Sequence, residues 1–157
     1  MKQEQQKLII YTDGGSRGNP GPAAIGVLIG PLTGGTSTSS VQGKRYAETI
    51  GETTNNVAEY KAVIFALKKA KHLVGGDKAL ETEIEIRSDS ELIVSQLKGE
   101  YKIKDDELKP LFIDVWNLRQ DFKSVEFKLI PREENKIADM LLNDALNEAE
   151  QEKNKLL

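Results

Sequence analysis

Several things are missing from this 157-residue chain. It has no cysteine, which excludes a disulfide framework and a thiolate metal centre and fits a reducing compartment. No stretch approaches the roughly 20 consecutive apolar residues that a membrane-spanning helix needs. The polar start, Met1-Lys2-Gln3-Glu4-Gln5-Gln6, lacks the apolar core of a secretory signal, so the expectation is a soluble, cytoplasmic protein with no membrane partner. Internal repeats, low-complexity blocks and any shift in composition marking a second domain are absent too. Residues 1–157 are therefore expected to form a single, monomeric domain long enough to bury its own core, with 1–6 and about 150–157 mobile. Positive charge is also scarce. The 22 Lys+Arg against 25 Asp+Glu leave a formal net charge of −3, an unfavourable balance for a partner made of phosphates.

What is present alternates between strand and helix patterns. Leu8 to Thr12 reads as a strand, and Ala23-Ala24-Ile25-Gly26-Val27-Leu28-Ile29 as a second, entered through Pro20-Gly21-Pro22. Pro31 to Ser40 is a flexible connection, and a third, more polar strand falls within Val41 to Gly51, as befits a sheet edge. Val57, Tyr60, Val63, Ile64, Leu67 and Ala70 recur at helical spacing, predicting a helix from about Asn56 to Leu73. Glu83 to Ser88 is a strand, Ser90 to Leu97 a short helix, and Lys104 to Asp121 a longer helix with the stripe Leu108, Phe112, Val115, Leu118 and Phe122. Val125 to Leu129 alternates strictly, as a half-exposed strand does. The last helix carries Ala138, Leu142, Ala145, Leu146 and Ala149, and the charged tail from Glu150 is expected to fray. Antiparallel strands first and strand–helix units later predict an α/β fold with a mixed five-stranded sheet flanked by helices.

One stretch carries chemistry: Tyr11-Thr12-Asp13-Gly14-Gly15-Ser16-Arg17-Gly18-Asn19-Pro20-Gly21-Pro22. The apolar run Leu8-Ile9-Ile10 delivers a carboxylate, Asp13, into what reads as a glycine-rich turn. A buried carboxylate is costly unless paired or bound to a cation, and glycines let a backbone approach a large ligand closely. Three more acids have similar settings. Glu59 follows Thr54-Asn55-Asn56-Val57-Ala58 at the start of a strongly apolar helix, Asp89 ends a strand in Ile86-Arg87-Ser88-Asp89-Ser90, and Asp139 follows Glu134-Asn135-Lys136-Ile137-Ala138 early in the last helix. Each has an ordinary alternative. Asn56-x-x-Glu59 and Ser88-x-x-Glu91 match a capping box or its close relative, Asp89 sits favourably near a helix N-terminus, and Asp139 could simply complement a helix dipole. Those alternatives do not explain Asp13 on an apolar strand, nor Asp139 at the edge of an apolar stripe. Read together, the acids describe a site for two hard cations such as Mg²⁺ or Mn²⁺. Two such cations about 3.5–4 Å apart can drive in-line phosphoryl displacement, and as bound cations they also offset the acidic balance.

In order and in context, the four acids resemble the ribonuclease H type 1 family, from about Leu8 to about Ala149. The resemblance implies the strand order 3-2-1-4-5, with three antiparallel strands and then parallel ones. It also implies a metal-dependent endonuclease that cuts the RNA strand of RNA–DNA hybrids and leaves a 5′ phosphate and a 3′ hydroxyl. In that reading Asp13 bridges both metals and Asp139 helps hold the one presenting the attacking hydroxide. Glu59 and Asp89 hold the one stabilising the leaving 3′ oxygen. Gly14, Gly15, Ser16, Asn19, Asn55 and Asn56 match the family's sugar- and backbone-reading positions, and amide side chains suit a 2′-OH that both donates and accepts. Tyr101, Lys102 and Lys104 pair an aromatic with two bases as a rest for DNA phosphates, with a solvated face as the alternative.

Two departures stand out. The loop Ile130-Pro131-Arg132-Glu133-Glu134-Asn135 lacks the histidine that many bacterial members carry there, and Arg132 is the expected substitute, able to contact phosphate but not to shuttle a proton. The only histidine, His72, falls on the first helix. The chain also passes from Leu97-Lys98-Gly99 almost directly to the next helix, without the extra basic helix of some relatives. Both points imply weaker substrate binding. Broader activity on double-stranded RNA and a non-catalytic hybrid-binding module are the rival readings. A dinucleotide enzyme is remote, because Gly14-Gly15-Ser16-Arg17-Gly18 has the wrong glycine spacing and precedes a strand.

Overall fold

A computed structural model describes residues 6–33 and 43–156. Its elements are β1 (Gln6–Ser16), β2 (Gly21–Thr33), β3 (Lys44–Thr53), α1 (Asn55–Val74), α2 (Gly76–Ala79), β4 (Thr82–Ser88), α3 (Glu91–Leu97), α4 (Lys109–Arg119), β5 (Ser124–Leu129), a 3-10 turn (Arg132–Glu134) and α5 (Lys136–Lys155). The strands form one sheet in the order β3-β2-β1-β4-β5. β2 pairs antiparallel with both β1 and β3, whereas β4 pairs parallel with β1 and β5. This is the mixed sheet and strand order expected.

The sheet's two faces are covered unequally. On one, Leu8 and Ile10 of β1, Val27 and Ile29 of β2, Ile84 and Ile86 of β4, and Val125 and Phe127 of β5 meet α1, α3 and α4 in a single large apolar cluster. Tyr60 is fully buried there, its hydroxyl donating to Gln96 Oε1 at 2.8 Å, and burial pushes its pKa up to about 12. On the other face α5 lies across β2, β3 and β1, held by a small cluster of Ala24, Leu142 and Leu146 with Ala145 beside it. A Cβ on Gly26 would fall on the Ala138 carbonyl, so only glycine lets α5 sit this close to β2.

Several boundaries differ from the sequence expectation. β1 continues through Ser16, so Asp13 and Gly14 lie within a strand and not in a turn, because Gly14, Gly15 and Ser16 still pair with Ile25, Ala24 and Ala23 of β2. Gln6, expected to be mobile, pairs with Thr82, and residues 1–5 lie outside the described residues. The expected third strand begins at Lys44; Val41 and Gln42 also lie outside the described residues. α4 starts at Lys109, not Lys104, with Pro110 in its first turn, where a missing N–H costs nothing. The expected fraying tail is helical to Lys155: Ala, Glu, Gln and Lys are strong helix formers, Lys153 and Lys155 complement the dipole, and Glu150 pairs with Arg17 at 3.1 Å. No described helix is long and apolar enough to cross a membrane.

Candidate active site

The site forms where β1 and β4 part. Their parallel ladder ends at Tyr11 opposite Arg87, so Asp13 and Asp89 each lie two residues beyond the last pair. In the fork, the Thr12 carbonyl accepts from Asn135 Nδ2 at 2.9 Å. That bond ties the start of α5 to the strand residue before Asp13. On the opposite face a Cβ at Gly14 would overlap the backbone of Ala58 and Glu59. The helix α1 therefore rests directly on β1 at Gly14 and carries Glu59 to Asp13. The Gly14 backbone N–H favours the charged form of both carboxylates, though less than burial and like charge oppose it.

Carboxylate oxygens of Asp13, Glu59 and Asp89 lie within 4.8 Å of one another. Asp139 reaches Asp13 from α5 and shares a side-chain hydrogen bond with it. Crowding these acids has a clear electrostatic cost. Burial first, then the Asp89 and Asp139 charges, push the Asp13 carboxyl up to about 8. Burial, then Asp13 and Asp89, hold Glu59 well above the ordinary carboxylate range. Glu59 Oε2 is buried without a hydrogen-bond partner. An orphan carboxylate oxygen among like charges is strongly unfavourable unless a cation compensates it, and an all-oxygen donor set suits a hard divalent ion. The residues present therefore fit Mg²⁺ or Mn²⁺.

These acids line an open cavity of about 480 Å³, with Gly14, Gly15, Ser16, Asn55 and Arg132 on its walls. The capping alternatives do not hold. Helix α1 is capped by Thr54 Oγ1, which accepts from the Val57 N–H at 3.3 Å, and α3 by Ser90 Oγ, which accepts from the Ile93 N–H at 3.4 Å. Neither Glu59 nor Glu91 falls at the third helical position, where a capping-box acid belongs.

The expected substrate positions divide. Asn55 Oδ1 accepts from both the Ser16 N–H (2.9 Å) and the Ser16 hydroxyl (3.2 Å), cross-linking the α1 start to the end of β1. Asn19 Oδ1 accepts from the Asn55 N–H at 3.0 Å and so supports Asn55. Asn56, Tyr101, Lys102 and Lys104 line a second cavity of about 570 Å³; Tyr101 is exposed and donates to Glu91 Oε1 at 2.9 Å. Arg132 projects from the exposed 3-10 turn into the first cavity. The lone His72 sits in the last turn of α1, about 20 Å along the helix from Glu59.

Sequence reasoning passed over four residues. Arg17, Ser90 and Asn143 line the acid-bearing cavity, and Asn135 is buried beneath it. Asn143 lies one helical turn after Asp139, a spacing that puts both on one face; nothing local marks the others.

A family model described as "Reverse transcriptase-like" matches residues 11–145. Among solved structures, LC11-RNase H1 in complex with an RNA/DNA hybrid is 45% identical over 90% of this chain and 98% of its own, with a TM-score of 0.78. The chain belongs to the ribonuclease H type 1 family. RNase H1 from Halobacterium salinarum NRC-1 is 34% identical, with 90% of this chain and 98% of that structure covered and a TM-score of 0.77. The Bifunctional protein Rv2228c of Mycobacterium tuberculosis is 39% identical over 145 residues, 92% of this chain. The chain spans only 37% of that relative and 64% of the Ribonuclease HI of Halobacterium salinarum, also 39% identical over 88% of this chain. Against the family pattern, the chain lacks both the loop histidine and a helix between α3 and α4, where residues 98–108 form no regular helix.

Proposed function

We propose that this protein is a divalent-metal-dependent endonuclease that hydrolyses the RNA strand of RNA–DNA hybrids. The observation that carries the reading is the convergence of Asp13, Glu59 and Asp89 within 4.8 Å, with Asp139 hydrogen-bonded to Asp13, at the wall of an open cavity. In this reading Asp13 would serve both cations, Glu59 and Asp89 would complete one set of ligands and Asp139 the other. Two divalent ions held there would supply the charge that activates a water and stabilises the departing 3′ oxygen of an in-line displacement, which would leave 5′-phosphate and 3′-hydroxyl ends.

The chain's own residues do the rest. The close approach of the α1 backbone to Gly14 brings Glu59 to Asp13. Asn55 holds Ser16 at the cavity wall, where backbone and amide groups can pair with ribose hydroxyls. A site built to bond a hydroxyl leaves polar groups unpaired when it is absent, a strong basis for preferring RNA. Arg132 brings a permanent positive charge to a phosphate without offering a proton. Tyr101, Lys102 and Lys104 offer the second strand an aromatic and cationic rest.

Strand-labelled RNA–DNA, RNA–RNA and DNA–DNA duplexes, each with Mg²⁺, Mn²⁺ or chelator, test the proposal. The expected result is metal-dependent cleavage of the RNA strand of the hybrid alone. Cutting of RNA–RNA duplexes at a similar rate establishes the broader specificity, and hybrid binding without cleavage in either metal overturns the enzyme reading.

A further inference from the structure

Asp139 differs from the other three acids in how it is held. Asp13 is within a strand at the sheet centre, Asp89 directly follows one, and Glu59 lies on a helix packed against it. Asp139 stands on α5, whose apolar attachment to the sheet is small. Its carboxylate is instead gripped from its own helix. Asn143 Nδ2 donates to Asp139 Oδ1 at 3.2 Å and to the Asp139 carbonyl at 2.9 Å. A primary amide can turn over, exchanging its oxygen and nitrogen, and an oxygen facing Asp139 would repel it. Arg17 reinforces the orientation that the two Asp139 oxygens already favour. A guanidinium only donates, and Arg17 Nη2 lies 3.5 Å from both Asn143 Oδ1 and the Asn143 carbonyl. That contact is long and contributes little strength, but its polarity favours the same orientation. Arg17 is itself fixed by a 2.7 Å bond to Asn147 Oδ1 and a 3.1 Å ion pair with Glu150.

We infer that Asn143, its orientation reinforced by an Arg17 that α5 holds through Asn147 and Glu150, is a positioning residue that sets the Asp139 carboxylate for cation binding. Arg17 lies at the end of β1 and the other three on α5, so the relay also ties the helix to the strand that bears Asp13. The inference rests on the proposed metal-dependent activity. It assigns neither Asn143 nor Arg17 as a cation ligand.

The test uses the full chain with Asn143→Ala, Arg17→Met and the double variant, each checked for folding by circular dichroism. Mn²⁺ affinity is measured by calorimetry without substrate, and kcat and KM on an RNA–DNA hybrid are measured separately. Loss of a hydrogen bond that orients a metal ligand typically costs about 10–100-fold in affinity or activity. Asn143→Ala should therefore weaken Mn²⁺ binding about tenfold and lower kcat with KM nearly unchanged. Arg17→Met should do the same more weakly, Arg17→Lys should recover part of the loss, and the double variant should be no worse than Asn143→Ala. A rise in KM alone would make Asn143 a substrate contact and overturn the assignment. So would unchanged Mn²⁺ affinity in Asn143→Ala, and strictly additive losses would overturn the relay. Failure of the wild type to cleave hybrids or bind Mn²⁺ would count against the proposed activity instead, which keeps the two failures distinguishable.

Discussion

Glu59 and Asp139 reach the same cavity from opposite faces of the sheet, and they are held there by different means. Glu59 rides on α1, which shares one large apolar cluster with α3, α4 and four strands, and its backbone lies against Gly14 with no room for a side chain between. Asp139 rides on α5, whose attachment is a handful of apolar residues, the close approach at Gly26, and polar ties from Arg17 and Asn135. Close packing fixes a position at the cost of adjustability, because interiors have few voids and resist displacement. Hydrogen bonds at a partly exposed helix permit small shifts. One wall of the site is thus built rigid and the other adjustable, which suits the metal-dependent cleavage proposed above.

The largest effect should come from the acid common to both walls. Asp13→Asn is expected to reduce hybrid cleavage to background while the protein stays folded, since it removes the carboxylate placed between the others and one of the like charges crowding Glu59 and Asp139. Rate assays with Mg²⁺ and a thermal melt in chelator check both halves; substantial Mg²⁺-dependent turnover by the folded variant would remove Asp13 from the metal site.

A pair of glycine substitutions contrasts the two faces. Overpacking in a close-packed region typically costs about 1–3 kcal/mol and occasionally more. Gly14→Ala must push α1 out of the large cluster and should fall at the upper end, with loss of activity. Gly26→Ala can be relieved by a shift of α5 and should cost less while moving Asp139. Urea midpoints with Mn²⁺ calorimetry measure this, and equal costs would contradict the rigid–adjustable contrast.

A smaller effect is expected from Arg132→Ala. The side chain reaches the cavity from an exposed turn, so turnover should slow moderately without disappearing. Loss as complete as for Asp13→Asn would mean that its role is misjudged, and an unchanged kcat and KM would mean that it has none.

Much of this division was legible in the residues. The strand and helix periods of Leu8 to Ile10 and of Val57 to Ala70 reflect burial in a large core, where pattern is dictated by packing. The four acids were recognisable only together, in order and in context: Asp13 delivered by the apolar run Leu8-Ile9-Ile10, Glu59 and Asp139 early in helices with apolar stripes, and Asp89 at a strand end. Helix starts were harder: Thr53, Thr54, Asn55 and Asn56 are all good caps, and only the backbone geometry selects Thr54. The α5 wall was the least legible. The bond between Arg17 and Glu150 spans 133 positions, and an Asn four residues after an Asp is too ordinary a spacing to signal a link. Asn19 was assigned to substrate by resemblance, and the bond its amide oxygen accepts from Asn55, 36 positions away, had no local signal.

The central claim is that the acids are held together against their mutual repulsion, and that a cation offsets this. Asp13 and Glu59 have folded-state pKa values raised above those of the unfolded chain. Between the unfolded values and about 8, the folded state retains protons that the unfolded state has lost, so stability must fall as pH rises through that window. Glu85, lowered despite burial by hydrogen bonds and charge from Arg87 and Lys7, works the other way only at acid pH, so pH 6 to 8 isolates the cluster. The direct measurement is the melting temperature across that range in chelator and in Mg²⁺. A melting temperature that falls with pH in chelator, with the fall largely abolished by Mg²⁺ and by Asp13→Asn, is the predicted result. A flat profile in chelator, or one that Mg²⁺ leaves unchanged, would contradict the account.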